Sequence, residues 1–191
     1  MRDLDARMPG LALVAAFRLT HHHGAEPTER PEAGEHFMRV TDLLSAEQIL
    51  LDLATPSRKA LLQTLAAEAA RRLGRDEQEV LAALQARERL GTTALGRGVA
   101  LPHARLPGED PPLMIFARLQ RPVDFEARDE EPVDLVFVVL WPESQPEGFL
   151  PALSDLCRPL RDPHFLQKLR RVGTAEEASA LLRQGGAAAE D

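Results

Sequence analysis

The side chains with chemical potential cluster between positions 87 and 105, in the stretch RERLGTTALGRGVALPHAR. His103 is its one nucleophile that is substantially unprotonated near neutrality without a helper, because imidazole titrates at about 6.5. Arg87 offers a fixed cationic fork matched to phosphate oxygens. Thr92 and Thr93 bring hydroxyl donors. Gly91, Gly96 and Gly98 permit tight turns and close backbone approach, so that N–H groups near Gly96 and Gly98 can face an anion. Pro102 fixes its own φ and has no N–H to donate, which suits a strand end where the next side chain emerges into a site. These residues outline a phosphate site without choosing a reaction. A histidine after proline is ordinarily a surface residue, spaced glycines can be hairpin punctuation, and an arginine at a helix end is usually solvated.

The elements that must position this stretch follow from punctuation and period. Ser45 or Thr41 caps a short helix holding Ile49, Leu50 and Leu53. Pro56 and Ser57 open a longer helix whose Leu61, Leu62, Leu65 and Ala69 recur at three- and four-residue steps, closed by Gly74. Asp76 starts another, through Val80, Leu81 and Leu84 to Leu90-Gly91. Thr92 to Leu101 carries short apolar pieces and no helical stripe. The apolar runs Leu113–Leu119 and Val133–Leu140 read as strands, the second largely buried. Phe149–Leu160 and Phe165–Val172 return to helical spacing. Thr174 caps a last helix with Glu176 and Glu177 in its first turn, ended by Gly185-Gly186. Helices, then strands, then helices make an α/β layered domain.

Length and composition bound the rest. The 191 residues hold one sizeable domain plus a tail, with 44% hydrophobic residues for a core and no tyrosine. A net charge of -7 argues against a general nucleic-acid binder, which needs a basic surface to displace counterions. A single cysteine, Cys157, excludes an intrachain disulfide and a cysteine-rich metal site. Its spacing with Leu153, Leu156 and Leu160 marks it as a core or half-buried residue. Leu11 to Phe17 is too short to span a bilayer and lacks the flanks of a signal peptide, so a cytoplasmic protein without direct membrane insertion is expected. Residues 1–37 read as a disordered extension, polar and unpatterned from Thr20 to His36, unless translation starts at Met38. The domain is expected over 38–185, and residues 186–191 as a flexible tail. The tract His21-His22-His23 is incidental to a polar tail, and the basic residues Arg158, Arg161, Lys168, Arg170 and Arg171 read as a solvated face.

The stretch around His103 resembles the signature of the fructose/mannitol and nitrogen-regulatory IIA family of the bacterial phosphotransferase system. That family reads R-E…G-S/T-T-x-x-G-x-G-x-A-[IL]-P-H-[GA]-[KR], and every key position is matched. The similarity continues through Pro122-Val123-Asp124-Phe125 and Pro132-Val133-Asp134-Leu135-Val136-Phe137, and covers about residues 38–184. The resemblance implies a mixed β-sheet sandwiched by helices. It implies a phosphohistidine carrier that accepts a phosphoryl group on His103 from a phosphorylated HPr-like carrier protein, with Arg87 steadying the phosphate. The group then passes to a IIB component, or the protein acts as a regulator whose target proteins respond to its phosphorylation. No metal or other cofactor is needed for exchange between two imidazoles, where positioning and positive donors supply most of the catalysis.

One departure from the family stands out. Many members carry a second histidine beside the active one, at the start of a helix reading H-L-x-x-L-S. Here the matching stretch is Phe149-Leu150-Pro151-Ala152-Leu153-Ser154, with phenylalanine in the histidine's place. His164 is too far along the chain to substitute by spacing. A non-catalytic binding module on the same fold, with a degenerate site, is the alternative that Phe149 motivates.

Overall fold

The computed structural model describes residues 40–187. The expected extension over 1–37, with its histidine tract, lies outside the described residues.

The first element departs from the sequence reading. Ser45 does meet Gln48, its N–H donating to Oε1 at 2.8 Å, but only a single 3-10 turn, Ala46–Gln48, follows. Ile49, Leu50 and Leu53 then form a strand, β1 (Ile49–Leu53), instead of a helix. The reason is tertiary: Ile49, Leu50 and Leu53 pair in parallel with Phe116, Ala117 and Leu119 of a strand far along the chain. Short apolar runs are ambiguous between strand and helix until a partner is known.

The next two helices form as their caps and stripes predict. α1 (Arg58–Leu73) begins where the Ser57 hydroxyl accepts from the Ala60 N–H, a cap worth about 1 kcal/mol. It ends at Gly74, which takes the left-handed conformation (φ 66°) that a residue with a Cβ adopts only at a cost. α2 (Glu77–Arg89) is capped by Asp76, whose side chain accepts from the Glu79 N–H, and it delivers Arg87 and Glu88 in its last turn.

The sheet is mixed and six-stranded: five strands run in the order β1-β5-β6-β3-β2, and β4 pairs with β6 off that path. Its other strands are β2 (Ala94–Gly96), β3 (Val99–Ala100), β4 (His103–Leu106), β5 (Leu113–Val123) and β6 (Val133–Pro142). β5 and β6 run antiparallel at the centre, while β3 and then β4 pair in parallel with the other edge of β6. Alternation along the central strands divides the core. Leu113, Ile115 and Ala117 of β5 and Val136, Val138 and Leu140 of β6 pack with Leu61, Leu65, Val80 and Leu84 of α1 and α2. Met114, Phe116, Leu135, Phe137, Val139 and Trp141 face the opposite way. They meet Leu156, Leu166, Leu169 and Leu182, carried by α3 (Pro146–Cys157), α4 (Pro163–Arg171) and α5 (Ala175–Ala187). Each such fully buried leucine stabilises the fold by roughly 2 kcal/mol.

The C-terminal helices follow the sequence reading with two adjustments. The segment expected to be helical from Phe149 to Leu160 starts at Pro146, whose fixed φ suits a first helical position, and breaks into a 3-10 turn over Pro159–Arg161. Thr174 caps α5 as expected, accepting from the Glu177 N–H at 3.2 Å, but the helix runs through Gly185-Gly186 to Ala187. Among the described residues no helix is long and apolar enough to cross a membrane.

Candidate active site

His103 opens β4, with Ala104 and Leu106 turned to the α1/α2 core and the imidazole on the other side, toward α3. Pro102 leads into the strand as expected: its carbonyl accepts from the Val139 N–H, and its missing N–H costs the sheet nothing there. The half-buried ring is held at both nitrogens. Nδ1 lies 2.8 Å from the Leu101 carbonyl, which can only accept, so Nδ1 carries the proton in the neutral ring. Nε2 then has the free lone pair, and it accepts from the Nε–H of Arg87 at 3.0 Å. The Arg87 guanidinium is itself steadied by donating from Nη1 to the Gly91 carbonyl at 3.0 Å.

Three influences besides burial act on the imidazole. Burial is the largest and disfavours the charged ring; the Leu101 hydrogen bond opposes it, the Arg87 charge adds to it, and the Glu88 charge opposes it. The net effect holds His103 below the usual histidine range. The ring is therefore neutral at pH 7, with its nucleophilic nitrogen unprotonated.

Phe149 stands where the sequence reading placed it. Its ring lies 5.8 Å from the imidazole, tilted by 58°, and a further 6.2 Å contact links it to Trp141. The wall beside His103 is thus apolar. His164 sits exposed at the start of α4 and takes no part. Leu90 is 85% exposed and Leu150 71%; they adjoin, in sequence, Gly91 and Phe149.

The remaining sequence candidates serve the frame. The Thr92 hydroxyl donates to the Phe125 carbonyl at 2.6 Å and accepts from the Ala94 N–H. The Thr93 hydroxyl donates to Glu88 Oε2 at 2.6 Å and is buried. Neither proton points to an incoming anion. Gly96 and Gly98 lie elsewhere. Both have positive φ (87° and 77°), closing the β2–β3 hairpin. A Cβ on Gly96 would meet the Asp129 carboxylate at 2.8 Å, and one on Gly98 would meet Arg170 Nη2 at 2.5 Å. The Gly98 carbonyl accepts from Asp134 on β6, whereas His103 pairs with Val139. That offset along one strand is on the order of 16 Å. The structure does not bring the two glycines to the imidazole; spacing in sequence had grouped residues that the hairpin separates.

The basic C-terminal cluster is partly committed as well. Arg170 makes a two-pronged pair with Asp134 (2.7 and 2.8 Å), which raises its pKa, and donates to the Arg97 carbonyl. Cys157 is half-buried against the α3–α5 core, and burial pushes its thiol up, away from reactivity. Sequence reasoning missed Glu88 as part of the site frame. Its place directly after Arg87 was a signal, but only the fold reveals what it holds.

Comparison with known proteins shows the family and the fold. Residues 42–185 match the family model described as "Phosphoenolpyruvate-dependent sugar phosphotransferase system, EIIA 2". A "Nitrogen regulatory protein" of Bradyrhizobium diazoefficiens is 46% identical over 145 residues, covering 76% of this chain and 95% of that protein. The crystal structure of nitrogen regulatory protein IIA-Ntr from Neisseria meningitidis superposes with a TM-score of 0.72 at 35% identity, over 75% of this chain and 98% of that one. The mannitol enzyme IIA of Escherichia coli, solved in complex with its phosphorylated enzyme IIB, shares the fold at TM-score 0.62 and 19% identity, over 74% and 97% of the two chains.

Proposed function

The chain belongs to the EIIA type 2 family of the phosphotransferase system, and from that premise we propose that it carries its phosphoryl group on Nε2 of His103. The observation that supports this reading is the two-sided hold on the ring, Leu101 at Nδ1 and Arg87 at Nε2. A neutral, oriented imidazole presents one lone pair, and the group on that lone pair is a cation with oxygen-binding geometry. In the transfer, the Nε2 lone pair forms the new N–P bond as the N–P bond of the donor imidazole breaks, and the donor keeps that electron pair. Nδ1 retains its proton, and the Leu101 carbonyl supports the positive charge that develops on the ring. Arg87 gives up its bond to Nε2 and turns its N–H donors to the phosphoryl oxygens. Thr92 and Thr93 act through the loop they brace, Gly96 and Gly98 through the hairpin they close.

The donor is an HPr-like phosphocarrier protein, and exposed Leu90 and Leu150 furnish apolar contacts for it. The output is regulatory, in keeping with the relatives named nitrogen regulatory protein, with transfer to a IIB component as the other branch. We place the work in the cytoplasm, in a domain spanning 38–185. Incubation with the phosphorylated carrier followed by an acid-labile phosphate assay tests the assignment: label enters wild type and is lost in His103→Ala. Equal label in both sinks it.

Phe149 favours a second reading, a binding module that no longer exchanges phosphate, because an apolar ring fills the wall beside His103. In that case neither His103→Asp nor His103→Ala changes partner capture, and wild type takes up no label.

A further inference from the structure

The last turn of α2 reaches the imidazole twice. Arg87 touches Nε2 directly. Its neighbour Glu88 reaches the opposite nitrogen through a relay. The Glu88 side chain is 10% exposed and lies 3.7 Å from Arg58 Nη1. Its carboxylate accepts from Thr93 twice, from the hydroxyl at 2.6 Å and from the N–H at 3.3 Å. The Thr93 carbonyl accepts from the Leu101 N–H at 2.9 Å, and the Leu101 carbonyl faces His103 Nδ1 at 2.8 Å. Arg58 is fixed in turn by Phe125, donating to its carbonyl at 3.3 Å and lying 5.9 Å from its ring centre.

A nearly buried carboxylate is costly unless its oxygens are satisfied, and here the partners are the loop that carries the Leu101 carbonyl. Charge-assisted bonds are roughly twice as strong as neutral ones, so Thr93 is a firm anchor. Leu101 has no side-chain means of aiming its carbonyl; the aim comes from its N–H bond to Thr93 and from the start of β4.

We propose that Glu88 is a positioning residue for the acceptor histidine: through Thr93 and Leu101 it holds the Nδ1–H tautomer that leaves Nε2 free to attack phosphorus. One helical turn thereby clamps both nitrogens, Arg87 on the reacting side and Glu88 on the far side. The inference rests on the reading that His103 is the acceptor, and it adds the residue that sets the ring's tautomer.

The test uses the ring ¹⁵N shifts of His103, assigned by their loss in His103→Ala, followed through a pH titration, with labelling by phosphoramidate as a partner-free phosphoryl donor. Wild type should show a single Nδ1–H tautomer above its midpoint. Thr93→Val should give a tautomer mixture and label more slowly, on the order of ten-fold, with Thr93→Ser restoring both. Glu88→Gln can still accept from the Thr93 N–H at its one oxygen while its amide N–H turns to the Thr93 hydroxyl oxygen. It should therefore retain the tautomer while its midpoint falls, since the Glu88 charge favours protonation. If Thr93→Val keeps the wild-type tautomer and labelling rate, the relay is refuted, whatever the Glu88→Gln midpoint does. Equal phosphoramidate label in wild type and His103→Ala would instead refute the acceptor reading, and the ring spectra would still decide the relay.

Discussion

The Nε–H of Arg87 donates to Nε2 of His103 at 3.0 Å, so the cation rests on the nitrogen that has the free lone pair. A guanidinium left unpaired beside a half-buried ring would need another partner; here the imidazole supplies it. The resting contact also keeps the ring turned with Nε2 toward Arg87, and it disfavours a proton on that nitrogen.

Removing Arg87 should therefore slow phosphoryl acceptance more than it weakens the fold. Arg87→Ala is expected to lower the initial rate of label uptake on the order of a hundred-fold, the usual cost of a lost transition-state donor. Arg87→Lys should fall between, because a lysine cannot hold Gly91 and Nε2 with one planar fork. Rapid-quench labelling with the phosphorylated carrier measures both.

The depressed pKa of His103 has a definite sign. A neutral ring is favoured by the fold, so the unfolded chain binds more protons just below the ordinary histidine pKa of about 6.5. The stability this contributes is fully present above that value and is lost as pH falls toward the folded pKa. Urea melts at pH 7.5 and pH 5 should show a larger loss of stability for wild type than for His103→Gln. Label uptake from phosphoramidate should likewise hold up below pH 6.5 before declining, once protonated Nε2 dominates.

Phe149 lies against the His103 ring, so it is one of the groups that keep water from it. Phe149→Ala should move the His103 titration midpoint up toward the ordinary value and expose the phosphorylated ring to water, shortening its lifetime a few-fold. Phe149→His supplies the donor that many family members carry, and should speed acceptance several-fold. Histidine NMR titration and decay of the acid-labile label read the two outcomes separately.

Gly98 provides a control on the anatomy of the site. Gly98→Ala places a Cβ against Arg170 and Asp134 at a positive φ, which costs roughly 1–2 kcal/mol before any clash is relieved. Thermal unfolding should register that loss, while label uptake per folded molecule stays at the wild-type level. A phosphate-holding Gly98 would instead lose label in proportion to neither stability nor folding.

The elements written by local rules were legible. Ser57, Asp76 and Thr174 cap helices because their oxygens lie beside free N–H groups whatever the rest of the chain does. Leu113–Leu119 and Val133–Leu140 are apolar except at Arg118 and Asp134, because both faces of the sheet are covered. β1 was not legible: five residues fit a strand or a helical turn equally, and the choice belongs to the distant β5 edge.

The proposed acceptor and its cation were likewise named from one stretch of chain, since a proline-led histidine and an arginine at the family's separation are local facts. Their meaning as a pair was not. The tautomer depends on a carbonyl two residues back, and that carbonyl on Thr93 and Glu88. Gly96 and Gly98 show the converse, for neighbours in sequence were turned away by a hairpin and joined to Asp129, Asp134 and Arg170. Residue types and spacing determined which chemistry this protein carries. Tertiary structure alone decided which nitrogen is free to perform it, because hydrogen bonds and burial act between atoms that only the folded chain brings within reach.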